Sequence, residues 1–370
     1  MTENRFSGKL ALQQRVLTAY RAPFFDMLTQ ACRGGLSVCV GLPRPQESIA
    51  VTNQLHFADY VSVQNKHLFQ GSFYLCYQRG LPDWLENCNP DTLIVEANPR
   101  YLATPAAVRW MKRRGKPVLG WGLGAPPSSG PFSGLRKSRR LSFLRPFDAL
   151  ITYSRRGADE YARLGFPANK IFVAPNAAAA RPSQPMPARP EEWDGPPTVL
   201  FVGRLQARKR VDLLLQACAG LAAALQPRLV IVGDGPERDS LVALAQTVYP
   251  SAEFPGAKHG TELAAYFSAA DLFVLPGTGG LAVQEAMSNG LPVIMGQGDG
   301  TNDQLVRTEN GWQIPPDDIS ALKGTLQTAL SDGRRLRRLG AESYRIVRDE
   351  INLEKMVEVF LEALDSVMAK

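Results

Sequence analysis

The stretch from Asp271 to Ile294 constrains the chain more than any other, because it changes backbone type three times in two dozen residues. Leu272 to Leu275 is a short apolar run with no polar face, the pattern of a strand buried on both sides in a parallel sheet. Pro276 to Gly280 then breaks the run with three glycines. Leu281, Glu285, Ala286 and Ser288 follow at helical spacing, Gly290 is a helix stop, and Leu291-Pro-Val-Ile opens the next strand. A glycine-rich turn from strand to helix presents free backbone N–H groups at the positive end of a helix dipole. The N–H groups near Gly279, Gly280 and Leu281 are therefore a candidate site for an anion such as a diphosphate. Glu285, about one turn further in, is placed to face a sugar or ribose hydroxyl pair.

The same plan recurs upstream. Thr198 to Val202 reads as a strand, Gly203-Arg204 as its turn and Val211 to Leu225 as a helix; Arg228 to Val232 repeats it with the turn Gly233-Asp-Gly-Pro. In the first half, Lys9 to Gln14 reads as a strand. A helix from about Ala22 to Arg33 carries Phe24, Met27, Leu28 and Ala31 on one stripe, and the loop before it is a candidate ligand loop. Apolar runs follow at Leu36–Val40, Phe73–Tyr77, Thr92–Ala97, Pro117–Trp121 and Ala149–Tyr153, an alternation that predicts a parallel sheet with covering helices. One of those runs leaves through Gly120-Trp-Gly-Leu-Gly-Ala-Pro-Pro-Ser-Ser-Gly, read as a flexible loop at the carboxyl edge where α/β sheets bind ligands. At 370 residues and 45% hydrophobic, the chain has material for two cores. Arg181 to Pro197, with six prolines, is the linker candidate. Residues 1–180 and 198–350 are then two α/β domains, and residues 351–370 a C-terminal helix that packs back on the first.

Several classes are set aside. No apolar run reaches the roughly 18 residues of a membrane span, and Met-Thr-Glu-Asn-Arg at the start lacks the layout of a signal peptide, so a cytoplasmic location is expected. The five cysteines include no Cys-x-x-Cys pair and read as reduced, buried thiols; the three histidines have no metal-ligand spacing, and no metal site is expected. Charge is unevenly divided. Residues 1–180 hold 23 basic against 11 acidic residues, whereas residues 181–370 hold 19 against 24. From Ala97 to Phe147 there is no acid at all, a composition that favours a polyanion or an anionic bilayer.

Across the turn Gly203-Arg-Leu-Gln-Ala-Arg-Lys209, Arg204 and Lys209 lie five residues apart, a placement from which both reach one diphosphate. A solvated basic helix start, with Arg208 and Arg210 alongside, is the other reading of the same residues. Taken together, Val202-Gly-Arg-Leu with Lys209, Ile231-Val-Gly-Asp-Gly-Pro, Phe254-Pro-Gly, Ala270-Asp-Leu-Phe-Val-Leu-Pro, Glu285-Ala-Met-Ser-Asn-Gly-Leu-Pro-Val-Ile and Asn310-Gly-Trp resemble the retaining nucleotide-sugar glycosyltransferases of family 4. Tyr20-Arg-Ala-Pro-Phe-Phe resembles it more loosely.

The resemblance implies two Rossmann-like domains facing a central cleft, the GT-B architecture, with donor mainly on the second and acceptor mainly on the first. It further implies that Arg204 and Lys209 hold the diphosphate and act on the leaving group, and that Gly203, Gly235, Gly279, Gly280, Leu281 and Glu285 line the donor site. Tyr20, Arg21, Trp121 and Gly122 are then acceptor-site candidates. Three positions depart from the family pattern. Gly277 stands where a first glutamate usually precedes the second by eight positions, no histidine occurs in Trp121-Gly-Leu-Gly, and Asp303 replaces a glutamate seven residues before Asn310.

The expected function is transfer of a hexose from a UDP- or GDP-sugar to a cell-envelope glycan or lipid-linked acceptor, with retention implied by the resemblance alone. No cofactor is expected, since the nucleotide sugar is a substrate. No Asp-x-Asp occurs to clamp a metal, so metal-independent chemistry is expected, and no nucleic-acid partner. A nucleotide-sugar epimerase or phosphorylase of the same shape, and a sugar-nucleotide-binding subunit without turnover, stay open as alternatives. Between Phe132 and Phe147, the basic residues Arg136, Lys137, Arg139, Arg140 and Arg145 are interleaved with Phe132, Leu135, Leu141, Phe143, Leu144 and Phe147. This make-up suits a segment lying on an anionic membrane, which would place the protein peripherally on the inner face of the cytoplasmic membrane. A core-facing helix with a basic outer side is the plainer reading.

Overall fold

The computed structural model describes residues 6–47, 49–127, 130–298 and 304–368. Asp303 and the first five residues lie outside them. The chain divides into two compact units, Met1–Ala178 with Leu353–Lys370, and Ala179–Asn352.

The first unit runs β1 (Leu10–Val16), α1 (Ala22–Gln30), β2 (Leu36–Gly41), β3 (Asp59–Ser62), β4 (Gln64–Leu68), β5 (Leu75–Arg79), α2 (Leu81–Cys88), β6 (Thr92–Glu96), α3 (Thr104–Arg113), β7 (Val118–Gly122), α4 (Ser133–Leu144), β8 (Ala149–Thr152), α5 (Arg155–Leu164) and β9 (Ile171–Val173). The second continues with β10 (Thr198–Val202), α6 (Val211–Ala219), β11 (Arg228–Val232), α7 (Arg238–Val248), β12 (Glu253–Gly256), α8 (Gly260–Ala269), β13 (Leu272–Leu275), α9 (Leu281–Ser288), β14 (Val293–Gly296), β15 (Gly311–Ile314), α10 (Ile319–Leu330) and α11 (Gly333–Asp349); α12 (Leu353–Met368) returns to the first.

Each unit is a doubly wound parallel sheet. The first has the order β3-β2-β1-β6-β7-β8-β9 and the second β12-β11-β10-β13-β14-β15. Central strands such as β2, β8, β13 and β14 are buried along their whole length, because helices cover both faces of a parallel sheet. The run Phe73–Tyr77 is not one of these strands. Its residues contribute to β5, which pairs antiparallel with β4 in a separate hairpin. The burial of β4 and β5 alternates, the period of a ribbon with one covered face, and the mostly polar β4 gives no apolar signal in the sequence.

Other boundaries move for local reasons. The helix read from Val211 to Leu225 stops at Ala219, where Gly220 follows, and a 3₁₀ turn spans Ala223–Leu225. The proposed linker 181–197 holds no helix or strand, yet it is fastened to the second unit. The half-buried Arg189 donates to the carbonyls of Ala270 (2.7 Å), Asn289 (2.7 Å) and Phe267 (2.8 Å), so three otherwise open chain ends share one guanidinium. Helix α12 lays Met356, Val357, Phe360, Leu361 and Leu364 into the core of the first unit, where Phe360 meets Phe24 and Trp121 edge-on.

The loop leaving β7 is tight rather than flexible over its described part. A Cβ on Gly120 would lie 2.8 Å from Leu150 Cδ2, and one on Gly124 2.8 Å from the Gly157 Cα, so these glycines permit close packing. The basic segment forms α4, and the core takes most of its apolar residues. Leu144 and Phe147 are buried and Leu141 and Phe143 pack against the same cluster, leaving Phe132 (77% exposed) and Leu135 (58%) outside. Arg140 donates to the Pro126 carbonyl, while Lys112 and Arg114 in the acid-free stretch pair with Asp148 and Glu86 on other elements. Among the described residues no helix is long and apolar enough to cross a membrane. All five cysteines are buried free thiols.

Candidate active site

In the second unit the strand order reverses between β10 and β13, the kind of switch point at whose carboxyl edge open α/β sheets bind ligands. Three loops converge there, bound backbone to backbone. Leu205 N–H donates to the Asp234 carbonyl (2.8 Å), Gly277 N–H to that of Lys209 (3.1 Å) and Thr278 N–H to that of Arg208 (3.1 Å). A Cβ on Gly233 would collide with the Gly203 carbonyl oxygen, one on Gly235 with the Leu205 carbonyl oxygen, and one on Gly277 with the Arg208 carbonyl oxygen. The glycines are required because chain meets chain without room for a side chain between. Gly235 is thus accounted for by packing on Leu205, and no ligand contact is needed to explain it.

Lys209 is 7% exposed at the end of a 3₁₀ turn. Its Nζ donates to the carbonyls of Thr278 (2.9 Å) and Gly279 (3.2 Å), and it pairs with no carboxylate among the described residues. Burial, with Arg208 adding to it, pushes its pKa down to about 8. Arg204 is exposed and makes no hydrogen bond or ion pair among the described residues, so its guanidinium is available to a ligand. The first turn of α9 has no side-chain cap, and although the Val283 N–H donates to the Gly280 carbonyl (3.2 Å), the Leu281 N–H is open to an anion. Arg208 also reaches this turn: its Nη1 donates to the Thr278 carbonyl (3.3 Å) and lies 3.1 Å from where a Cβ on Gly279 would be. The sequence offers Arg208 only as part of a basic helix start. Glu285 is exposed on α9, and partial desolvation of its carboxyl raises its pKa above the ordinary value.

The acceptor candidates of the first unit are placed differently. Trp121 is 2% exposed, packed at tilted and edge-on angles among Phe24, Tyr153 and Phe360, and is a core residue. Arg21 is 4% exposed in a cage of Tyr20, Trp121 and Tyr153, with its centre 5.0–5.3 Å from each ring. It bonds the Asn176 side chain and the Sδ of Met356 (3.3 Å). Those partners sit just inside the two places where the chain passes between units, so Arg21 anchors both crossings and is not open to an acceptor. A Cβ on Gly122 would press on the Tyr161 hydroxyl (2.5 Å) and on Ala97 (3.2 Å), again a packing requirement, while Tyr20 and Gly122 keep partial exposure. The motif at Asn310 is likewise structural: its buried side chain donates to the Leu305 carbonyl (3.0 Å) and accepts from Arg307 N–H (2.6 Å).

Two Rossmann-like units, each a parallel sheet with helices on both faces, define the GT-B fold. Solved structures share it: the lipopolysaccharide outer core galactosyltransferase WaaB superposes with a TM-score of 0.68 at 16% identity, over 96% of this chain and 99% of that one. Residues 184–346 match the family described as Glycosyl transferases group 1, so the second unit carries a domain of that family. Among curated relatives, the GDP-mannose-dependent alpha-mannosyltransferase of Mycobacterium tuberculosis is 44% identical over 125 residues, 33% of this chain and 31% of that protein. The lipopolysaccharide core biosynthesis glycosyltransferase LpsE of Rhizobium meliloti is 24% identical over 71% of this chain and 80% of its own length. The chain thus spans less than a third of the mycobacterial protein it matches.

Proposed function

We propose that the protein is a glycosyltransferase that moves a hexose from a nucleoside diphosphate sugar to a cell-envelope glycan or lipid-linked acceptor, with retention and without a metal. The observation that carries this reading is the buried Lys209, paired with no carboxylate among the described residues and bonded to the turn before the uncapped start of α9 at the β10/β13 switch point, with the exposed Arg204 earlier on the same loop. Negative charge builds on the diphosphate as the glycosidic bond breaks. Cations and N–H dipoles already fixed around it stabilise the transition state more than the ground state. In this scheme Arg204 grips the diphosphate bidentately and Lys209 adds a point charge. The N–H groups of Gly279, Gly280 and Leu281 complete the cradle, and Glu285 takes the ribose hydroxyl pair. The name of the mycobacterial relative favours GDP-hexoses among the donors. Product analysis with GDP-mannose, UDP-glucose and UDP-galactose, each with lipid-linked and free glycan acceptors, is the test. A new glycosidic bond supports the reading; isomerised donor, phosphorolysis or binding without product overturns it.

The exposed tip of α4 supports a membrane-delivered acceptor. Phe132 and Leu135 stand beside Arg136, Lys137 and Arg139, and each basic residue near an anionic leaflet contributes about 1 kcal/mol. Wild type is expected to sediment with anionic vesicles at low salt and not with zwitterionic ones. A variant with Arg136, Lys137, Arg139 and Arg140 changed to Ser is expected to stay in solution with both. Equal recovery of the two proteins with anionic vesicles would remove the membrane from the scheme.

A further inference from the structure

The second unit holds a cavity of about 500 Å³ between α6 and α7. Val211, Leu241 and Leu244 make up its apolar lining, and Asp212, Glu237 and Ser240 much of its polar lining. None of Arg204, Lys209, Gly279, Gly280, Leu281 and Glu285 lines it, so it is distinct from the candidate active site. The two nevertheless share one turn. Gln206, Ala207 and Arg210 line the cavity, whereas Arg208 and Lys209, between them in sequence, donate to the Thr278 and Gly279 carbonyls. Gln206 joins the two sides: its side-chain oxygen accepts from Arg208 Nε (3.1 Å) and its backbone carbonyl from the Lys209 N–H (2.9 Å).

The charges around the cavity do not balance. Arg210 supplies the cation of its lining and is already engaged: Nε and Nη2 donate to Asp212 (3.2 and 3.1 Å) and Nη1 to Asp317. The half-buried Glu237 carboxylate accepts from the Ser240 hydroxyl (3.1 Å) and pairs with no cation among the described residues. We propose that the cavity binds an organic ammonium ion, its N–H donors on Glu237 and its carbon frame against Leu241 and Leu244. An uncompensated carboxylate beside apolar side chains matches a positive charge carried on an apolar body, a chemistry that aliphatic amines and amino sugars share. A bare metal ion matches less well, since it would leave the apolar lining uncovered and no group of three ligating side chains is gathered among the described residues. Glu237 also touches the donor loop, because its N–H donates to the Leu205 carbonyl (3.1 Å), between Arg204 and Lys209. Resting on the transferase reading, an ammonium ion bound here neutralises a carboxylate close to the diphosphate site. Nucleotide and ammonium then strengthen each other's binding.

Saturation-transfer NMR on the full chain tests the assignment, with hexylamine and glucosamine as cationic probes and hexanol and N-acetylglucosamine as their neutral counterparts. At least one amine is expected to bind about tenfold more tightly than its counterpart, the difference a charge-assisted contact makes. A stronger signal from hexylamine assigns the site to aliphatic amines, and one from glucosamine to amino sugars. Glu237→Gln is expected to lose the tenfold preference while melting with the wild type, and Leu244→Trp, which fills the cavity, to lose binding of every probe. Equal binding of charged and neutral probes, no binding of either amine, or wild-type amine affinity in Glu237→Gln would overturn the site; if the tryptophan variant fails to fold, the glutamine variant decides. Calorimetry with GDP and UDP on the same samples separates this site from the transferase reading. Saturating amine is expected to tighten nucleotide binding about threefold, as is Glu237→Gln without amine, and an unchanged nucleotide affinity overturns the coupling. Amine binding with no affinity for either nucleotide keeps the cavity site and removes the transferase reading, whereas nucleotide binding with no Glu237-dependent amine signal does the reverse.

Discussion

Lys209→Ala is expected to weaken binding of the nucleotide sugar ten- to hundredfold and to lower turnover at least as much, because the loss of a buried charge-assisted contact costs about 1.5–3 kcal/mol. Arg204→Ala is expected to act in the same direction by less, since its side chain is exposed. The lysine also makes donor binding pH-dependent. Its pKa is pushed down to about 8 from 10.5, so the ligand-free protein loses this charge above pH 8 and affinity is expected to fall there. The stability sign is the opposite. The unfolded chain binds the extra proton between pH 8 and 10.5, so the cost of burying the charge is full below pH 8 and is relieved as pH rises to 10.5. Lys209→Met is therefore expected to keep or raise the melting temperature of the ligand-free protein at pH 7 while donor affinity falls. Calorimetric titration and thermal unfolding on the same samples check this, and a parallel loss of both would mark Lys209 as merely structural.

The second large effect concerns Gly277, where the family pattern has a glutamate. Restoring the acid by Gly277→Glu is expected to abolish donor binding, because the Cβ alone runs into the Arg208 carbonyl oxygen. That collision would break the bonds from Gly277 and Thr278 to the Lys209 and Arg208 carbonyls, and with them the position of Lys209. Gly277→Ala carries the same steric fault without the charge. Overpacking against backbone costs about 3 kcal/mol, or roughly 6–12 °C in the unfolding temperature of a unit this size. Wild-type melting with either variant would show that the loop relaxes freely, and improved donor affinity in Gly277→Glu would show that the crevice is built to take the carboxylate.

What the sequence determined by itself is the plan of the second unit. Buried runs such as Leu272–Leu275, glycine turns and short amphipathic helices are local signals, so β13, α9 and the glycine turn between them are legible from spacing alone. The sequence also places Arg204 and Lys209 on one turn, five residues apart. Tertiary structure decided which residues are open. Arg21 and Trp121 look like ligand residues in loops at the sheet's carboxyl edge, but α12, arriving more than 200 residues later, closes over them with Phe360 and Met356. Similarly, glycines at 122, 235 and 277 read as ligand-facing or as departures, whereas each one is needed for a close approach between segments distant in sequence. The hydrogen bond from the Arg15 N–H to the Glu96 carboxylate left no signal at all. Its partners are 81 residues apart, and only the reversal of strand order sets β1 beside β6. Burial and long-range adjacency are properties of the packed sheet, and no local window of sequence carries them.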